Sequence, residues 1–441
     1  MFKIAGVRLI RSVFSAVSVV SWAVLLGACA GSSLPDSGGP RSWIVENVAS
    51  KATAELYADV IKPGVFERLS SKVIEGYTVE SGNLVMPDNS LGSLVTVRSA
   101  DGSLTALVEK PKESGLLVVD TQGKSTFKIP VTKNYSQSDF IVDEVEFRRL
   151  SKTKPIIASE PKVIDIFLGY TQVAVDLVGE PHRHALAFVE NVNLAFRNAS
   201  VSGVSLRLVG TQVVAENYLI IGATLRNLFE IFSIGIKNSA PDVVYGVLGD
   251  HPENNAYGWG FMPGRSAIGY ALRPTTFLHE LGHNAGGLHC SADGGAAVPY
   301  GYGFNNGTTS TVQCGEGSVN YSSPTLKDQD GNPLGNTATA DMARVWRENA
   351  ARLSSYSFGP PRNFKKTGST ITKVTFGWDP VDGAVRYDFY STVLSGPEVR
   401  KTGETTGVTY TVSDTFGRTQ YFVKAVDAQG KESILSNGAS R

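Results

Sequence analysis

Residues 277–290 read FLHELGHNAGGLHC and place three of the chain's six histidines within eleven residues. On a helix, residues four apart share a face, so His279 and His283 can offer imidazoles to one ion. Glu280 lies one position round from His279 and can reach a water held beside that ion, where a general base belongs. Gly286 follows His283 by three residues. Glycine tolerates the positive φ that ends a helix, so a turn there can bring His289 to the same point. Three neutral nitrogens with one position open describe a catalytic zinc site, not a sealed structural one. The competing reading is a surface helix with solvated histidines. It requires the HExxH spacing, the glycine and the third histidine to coincide by chance.

Upstream, Val163, Ile164, Ile166, Phe167 and Leu168 form a nearly continuous apolar run, as a buried central strand should. A helical pattern follows, with Ala185, Val189, Val192 and Phe196 on one face. Residues 205–209 and 242–247 read as further strands, and strands alternating with helices imply an α/β layer. Residues 299–335 are loop-rich, and a helix with Met342, Val345, Trp346 and Leu353 on one side closes the unit.

The stretch from His279 to His289 resembles the long zinc motif of the metzincins, most closely the reprolysin and peptidyl-Asp metalloendopeptidase groups. Residues 163–171 are similar to their first catalytic strand. Tyr321-Ser322-Ser323-Pro324, followed by residues 335–338 and Ala340-Asp341, is similar to their closing loop and last helix. The likeness covers about residues 161–356. It implies a single catalytic Zn2+ on His279, His283 and His289, with Gly286 as the motif's turn. It further implies hydrolysis of a protein or peptide substrate by a zinc-bound water, with Glu280 as base and then acid. By the same resemblance, residues 255–270 hold the edge strand that receives an extended peptide. One departure stands out. Metzincins place a methionine beneath the zinc histidines, whereas this chain has none between His289 and Met342. Gln313 or Asn320 takes that place, and a polar group there needs a hydrogen-bond partner.

At the N-terminus, Lys3, Arg8 and Arg11 precede an apolar run over residues 13–26, which reads as an export signal. Leu26-Gly27-Ala28-Cys29 resembles the bacterial lipoprotein lipobox. That implies a signal peptide over 1–28 and a lipid anchor on Cys29, and Ala30 favours the outer membrane of a Gram-negative cell. A plain signal cleaved after a small residue is the alternative. No later stretch is apolar enough to span a bilayer. Cys290 and Cys314 remain, and an oxidising compartment favours a disulfide between them over two free buried thiols.

The expected fold class is α+β and multidomain. A flexible tether over 29–45 leads to a β-rich N-terminal domain over 46–150, a metzincin-like α/β catalytic domain over 155–358 and a C-terminal β-sandwich over 361–441. The first domain shows alternating runs with hairpin signals at Ala100-Asp101-Gly102 and Gln122-Gly123, and is similar to a β-rich propeptide. It has no cysteine, so it cannot block zinc with a thiolate, and any inhibition must be steric cover. Cleavage near residues 151–155 would free the rest of the chain from the lipid. The last domain resembles fibronectin type III in Trp378, Pro380 and residues 421–427, with Tyr421 as its corner tyrosine.

Lysine plus arginine equals aspartate plus glutamate, 41 of each, which gives no reason to expect nucleic acid as partner. His182 and His184 open a helix and read as surface residues, and His251 as solvated. The expectation is an exported, lipid-anchored zinc metalloendopeptidase. A catalytically degenerate surface lipoprotein, acting as a binding or adhesion module, is the reading from another class.

Overall fold

The computed structural model describes residues 40–441 apart from 49–50, 52–57, 112, 131–138, 153–160, 251–255, 316–318, 357–358, 382, 394–398, 415–418, 429, 431 and 434. The signal, Cys29, most of the tether, His251 and the stretch beyond Lys152 where cleavage is expected lie outside the described residues. No described helix is long and apolar enough to cross a membrane.

Alternating residues and turn chemistry build the first sheet. Its strands are β1 (Arg41–Ile44), β2 (Val65–Ile74), β3 (Tyr77–Val85), β4 (Leu91–Arg98), β5 (Leu104–Glu109), β6 (Ser114–Val119) and β7 (Lys124–Lys128), in the antiparallel order β1-β7-β6-β5-β4-β3-β2. Asp101 Oδ1 accepts from the Ser103 N–H at 2.9 Å, and Asp120 Oδ1 from the N–H groups of Gln122 and Lys124 at 2.9 Å each. Gly102 and Gly123 take the positive φ these turns need.

The second sheet comprises β8 (Phe140–Val142), β9 (Lys162–Thr171), β10 (Val204–Val214), β11 (Val243–Leu248), β12 (Gly258–Met262) and β13 (Ser266–Tyr270), in the order β10-β9-β11-β13-β12-β8. Strands β10, β9, β11 and β13 run parallel, β12 turns back antiparallel to β13, and β8 adds to its outer edge in parallel.

Between the two sheets lies the helix Pro181–Asn198, which packs on β10 and on β3, β4 and β5. Proline at its first position and the Glu180 carboxylate, which accepts from His182 and Arg183 N–H groups, start it. Phe188, Val192 and Phe196 are almost wholly buried, and each such side chain stabilises the fold by roughly 1.5–3 kcal/mol. Val79, Val95, Val97, Leu107 and Leu116 of the first sheet share this core. Buried Glu190 accepts from Ser81 and pairs with Lys72 and Arg197, all at 2.6 Å. The first sheet is therefore fastened to the second through one apolar core and one buried ionic cluster.

These findings correct the expected fold class. Strand outweighs helix, 43% against 23%, the largest sheet has seven strands, and a metzincin-like α/β catalytic domain is not what the architecture presents. The physical reason lies where sequence periodicity is weakest. Residues 222–239, between β10 and β11, form helical pieces of 5, 4 and 7 residues with no side-chain cap on any of them. The sheet beside them carries an antiparallel strand and a strand donated from residues 140–142. The chain is β-rich and built from several sheets.

At the C-terminus a three-stranded sheet (Lys365–Ser369, Lys373–Gly377, Thr409–Ser413) and a four-stranded one (Arg400–Thr405, Ala384–Val393, Thr419–Asp427, Ala439–Ser440) enclose a separate core. Phe364, Phe376, Trp378, Phe389 and Tyr421 fill it with aromatic contacts.

Glu109 yields a stability test. Burial pushes its carboxyl from 4.5 up to about 7, against the pull of Ser114 and Arg273. The fold therefore favours the protonated form, and this contribution is full below pH 4.5 and lost as the pH rises to 7. Denaturant unfolding should show Glu109→Gln without that decline, and about 2–3 kcal/mol more stable than wild type at pH 8.

Candidate metal centre

The helix Pro274–Ala285 carries the first two histidines and lies against β12 and β13. It ends as its glycines dictate. Gly286 adopts φ 112° and donates to His283 O at 2.9 Å, while the Gly287 N–H reaches Gly282 O at 2.9 Å. This paired bonding satisfies carbonyls that would otherwise be orphaned and turns the chain back. His289 follows on the short strand Leu288–Cys290, which pairs with Tyr302–Gly303.

The turn brings three imidazoles together. His279 Nε2 lies 3.1 Å from His283 Nε2 and 3.2 Å from His289 Nε2. His279 Nδ1 is 3.0 Å from Val312 O and His283 Nδ1 is 2.8 Å from Gly287 O. A carbonyl can only accept, so both Nδ1 atoms carry the proton, and in the neutral rings both Nε2 lone pairs face the common centre.

Asp139 completes the cluster. Its Oδ2 is 3.2 Å from His279 Nε2, and its Oδ1 is 3.0 Å from His289 Nε2 and 3.5 Å from His283 Nε2. Acceptor atoms crowded at such distances repel unless positive charge sits among them. The four ligand atoms lie within 4.8 Å of one another, and this His3Asp cluster could hold a metal ion. Tetrahedral ligands about 2.0–2.1 Å from zinc stand about 3.3–3.4 Å apart, so the donor set fits such an ion. The same demand appears in the titration of the groups. Burial disfavours charge on His279, but Asp139 outweighs it and pulls that imidazole above its usual value. Burial takes His283 down to about 4, which keeps it neutral as a ligand must be. Burial would raise the Asp139 carboxyl, but the imidazoles hold it well below the usual carboxylate range.

Glu280, one position on from His279, lies in a niche made by glycines. A Cβ on Gly258 would collide with Glu280 Oε1, and one on Gly260 would stand 3.1 Å from Oε2. The carboxylate thus lies against the backbone of β12. Burial, and then the nearby charge of Asp139, push it well above the ordinary glutamate value.

Other elements hold the helix in place. The buried Arg352 guanidinium donates to Asn284 O at 2.6 Å and Ala285 O at 3.3 Å, favourable charge at a helix C-terminus. Asn284 Nδ2 donates to Phe261 O and Ser266 O, both at 2.9 Å, and so ties the helix to β12 and β13. Beneath the histidines sits Gln313, whose Nε2 donates to His279 O at 2.7 Å and would be 2.5 Å from a Cβ on Gly282. Of the two candidates for the missing methionine, Gln313 touches the motif, while Asn320 accepts from Asn198 at 2.9 Å. Met342 occupies the space under Gly287. A disulfide joins Cys290 to Cys314, so the residue after His289 is bonded to the loop that contacts His279 through Val312 and Gln313.

His184 corrects the expectation of a surface residue. It is fully buried, 3.0 Å from Tyr170 OH and 3.1 Å from Ala271 O, and burial lowers it to about 3. His182 lies 2.8 Å from Glu75 and is partly covered. The N-terminal region, for which only steric cover was expected, supplies the Asp139 carboxylate to the cluster. Nothing local marks Asp139, since the residue reaches the motif across 140 positions of chain.

No family model matches the sequence, and no curated protein does. Among solved structures, one titled as a chaperone–substrate complex is 21% identical over 59% of this chain, with a TM-score of 0.38, and this chain spans 44% of its length. An Fn3-like protein from Clostridium thermocellum is 24% identical, covering 19% of this chain and 90% of its own, with a TM-score of 0.17. Titin kinase with its flanking domains is 20% identical over 18% of this chain and 16% of its own, with a TM-score of 0.17. Scores this low support no statement about function.

Three outcomes follow for metal binding. His283→Ala should abolish stoichiometric retention of a divalent ion by the dialysed protein, measured by elemental analysis. Gly258→Ala should keep the ion, since it crowds Glu280 and not the ligands. Reduction of the disulfide should weaken retention by about tenfold at unchanged pH, read by competition with a chromogenic chelator.

Proposed function

We propose that this chain is a zinc-dependent endopeptidase, exported and held at the cell envelope by a lipid on Cys29. The observation that carries the reading is the convergence of three imidazole nitrogens, two of them oriented by backbone carbonyls, beside a buried glutamate that lies against β12. Its motif-level likeness to the long zinc motif of peptidases supports it, and it does not rest on a shared overall fold. His279, His283 and His289 would hold the ion, a nitrogen set that suits zinc. When bound, zinc supplies a Lewis acid that polarises a carbonyl and makes water more acidic.

The protein's own groups do the rest. Val312 O and Gly287 O keep the two helical imidazoles in the tautomer that presents Nε2. Glu280, shielded from solvent and raised in proton affinity, accepts a proton from the attacking water and returns it to the departing amine. The β12 backbone offers hydrogen bonds to an extended peptide, and its glycines leave the carboxylate room beside that peptide. The C-terminal pair of sheets contributes no group to this chemistry and acts as a spacer or binding module, a fibronectin type III-like role.

Casein hydrolysis tests the proposal, in the wild type and in an Asp139→Ala background that removes the carboxylate from the cluster. Glu280→Gln should lose about 10²–10⁴-fold in rate in either active background while retaining one zinc per chain. Zinc-loaded protein that cuts nothing in both backgrounds, or Glu280→Gln with undiminished rate, would favour the surface-binding reading instead.

A further inference from the structure

Several exposed large apolar side chains gather on one strand far from the histidines. Val65, Leu69 and Val73 of β2 are 66%, 50% and 73% exposed. The strand is 10 residues long and ends the seven-stranded sheet, so its outer edge meets no strand among the described residues. Such an edge presents backbone N–H and C=O groups that can pair with another chain. Proteins commonly guard edges with charges and bulges, and β2 carries both. Their placement decides whether they repel a second strand or select one.

The two faces of β2 follow from its contacts. Lys72 reaches Glu190 on the helix Pro181–Asn198, and Ile74 packs into the core on that side. Phe66 packs on the other side, in the cluster that contains Leu84, and Arg68 pairs with Glu80 at 2.7 Å. Between Arg68 and Ser70 the register with β3 shifts, which leaves Leu69 as an inserted residue. Side chains alternate along a strand, so the insertion changes the parity. Before it Val65 and Glu67 lie on the helix side, and after it Lys72 and Ile74 do. Phe66, Arg68, Ser71 and Val73 lie on the other side.

Side chains opposed across an antiparallel pair must share a face. A two-fold axis through the bulge meets that condition along the whole strand. Val65 then stands opposite Ile74 of a second copy, Phe66 opposite Val73, Glu67 opposite Lys72 and Arg68 opposite Ser71. Without the inserted residue the same register would set each side chain against one on the wrong face. The register gives both exposed valines apolar partners, opposes acid to base on each side of the axis and sets no like charges opposite. Leu69 lies at the axis beside its copy.

We propose that β2 is a self-association edge: two copies of this chain pair antiparallel along residues 65–74, about an axis between Leu69 and Ser70. The pairing fuses the two seven-stranded sheets into one and closes an otherwise free edge of each. It holds whether or not the histidine cluster belongs to a peptidase.

The test reads which positions of β2 meet their own copies. Leu69→Cys, Val65→Cys and Val73→Cys each add one thiol at an exposed site of the full-length protein, where Cys290 and Cys314 are already bonded. Copper-catalysed oxidation and non-reducing electrophoresis measure covalent dimer, with wild type as the background. Leu69→Cys should give at least tenfold more dimer than either valine variant. Its copies meet at the axis, within the roughly 4.4–6.8 Å that a disulfide spans between Cα atoms. Copies of residue 65 or 73 stand roughly 24–31 Å apart at the rise of a strand. Adding Glu67→Lys, which sets a like charge against Lys72, should cut the Leu69→Cys dimer by about tenfold. The wild type supplies a measurement that needs no variant to fold. Zero-length carbodiimide coupling should yield a dimer in which mass spectrometry finds Glu67 joined to Lys72. Within one chain those residues are roughly 15–17 Å apart along the strand, too far to couple directly. Equal dimer from the three cysteine variants, or no junction between Glu67 and Lys72 in coupled wild type, would overturn the proposal.

Discussion

Three imidazole nitrogens and a carboxylate aimed at one point constitute an electrostatic demand that only positive charge can meet, and much of the surrounding structure maintains it. The demand is created by protons placed elsewhere. Val312 O and Gly287 O each draw an Nδ1–H, and this leaves the Nε2 lone pairs facing inward. Repulsion among those lone pairs would spread the rings if the backbone were free to yield. It is not free, because the helix end is bonded to Arg352, its Asn284 to two sheet carbonyls, and the strand after His289 to the neighbouring loop by a disulfide.

The same constraint explains the unusual composition of β12. A strand beside a buried carboxylate must leave room for it, and Gly258 and Gly260 are where side chains would intrude. Glycine weakens strand pairing. Here the loss is offset by pairing on both sides, with β13 inward and β8 outward. The N-terminal region is consequently more than a neighbour. Its seven-stranded sheet shares a core with the helix Pro181–Asn198, its Ser81 and Lys72 meet buried Glu190, and its last described segment begins with Asp139 at the histidine cluster.

Several features were legible from residue type and spacing. The four-residue interval of His279 and His283, the glycine turn and the return of His289 follow from helix geometry, and the structure brings their nitrogens within 3.2 Å. Cys290 and Cys314 were expected to pair with each other, and the bond is present. Turn signals at Gly102 and Gly123 coincide with hairpins of the first sheet. The balance of strand and helix was not legible. The strands at 163–168, 205–209 and 242–247 and the helical pattern at 185–196 suggest an α/β layer, yet the helical pieces within residues 222–239 are too short and poorly capped to complete one. His184 was misread for a related reason. A histidine in the first turn of a helix is ordinarily solvated, but this one is enclosed by Tyr170, Phe188 and the Ala271 carbonyl.

What the sequence by itself determined is the chemistry within about a dozen residues of His279: which atoms can bind a cation, where the helix must stop, and which carboxylate stands beside the ligands. Those are local consequences of helical pitch and of glycine's freedom at positive φ. Tertiary structure alone decided what faces that chemistry. Asp139, Gln313, Arg352 and the glycines of β12 reach the motif by long-range packing, and sheet order depends on pairing energies among distant strands, not on local pattern. What stands at the fourth corner of the His3Asp cluster is a property of that packing, because Asp139, just ahead of β8, lies far from the motif in sequence.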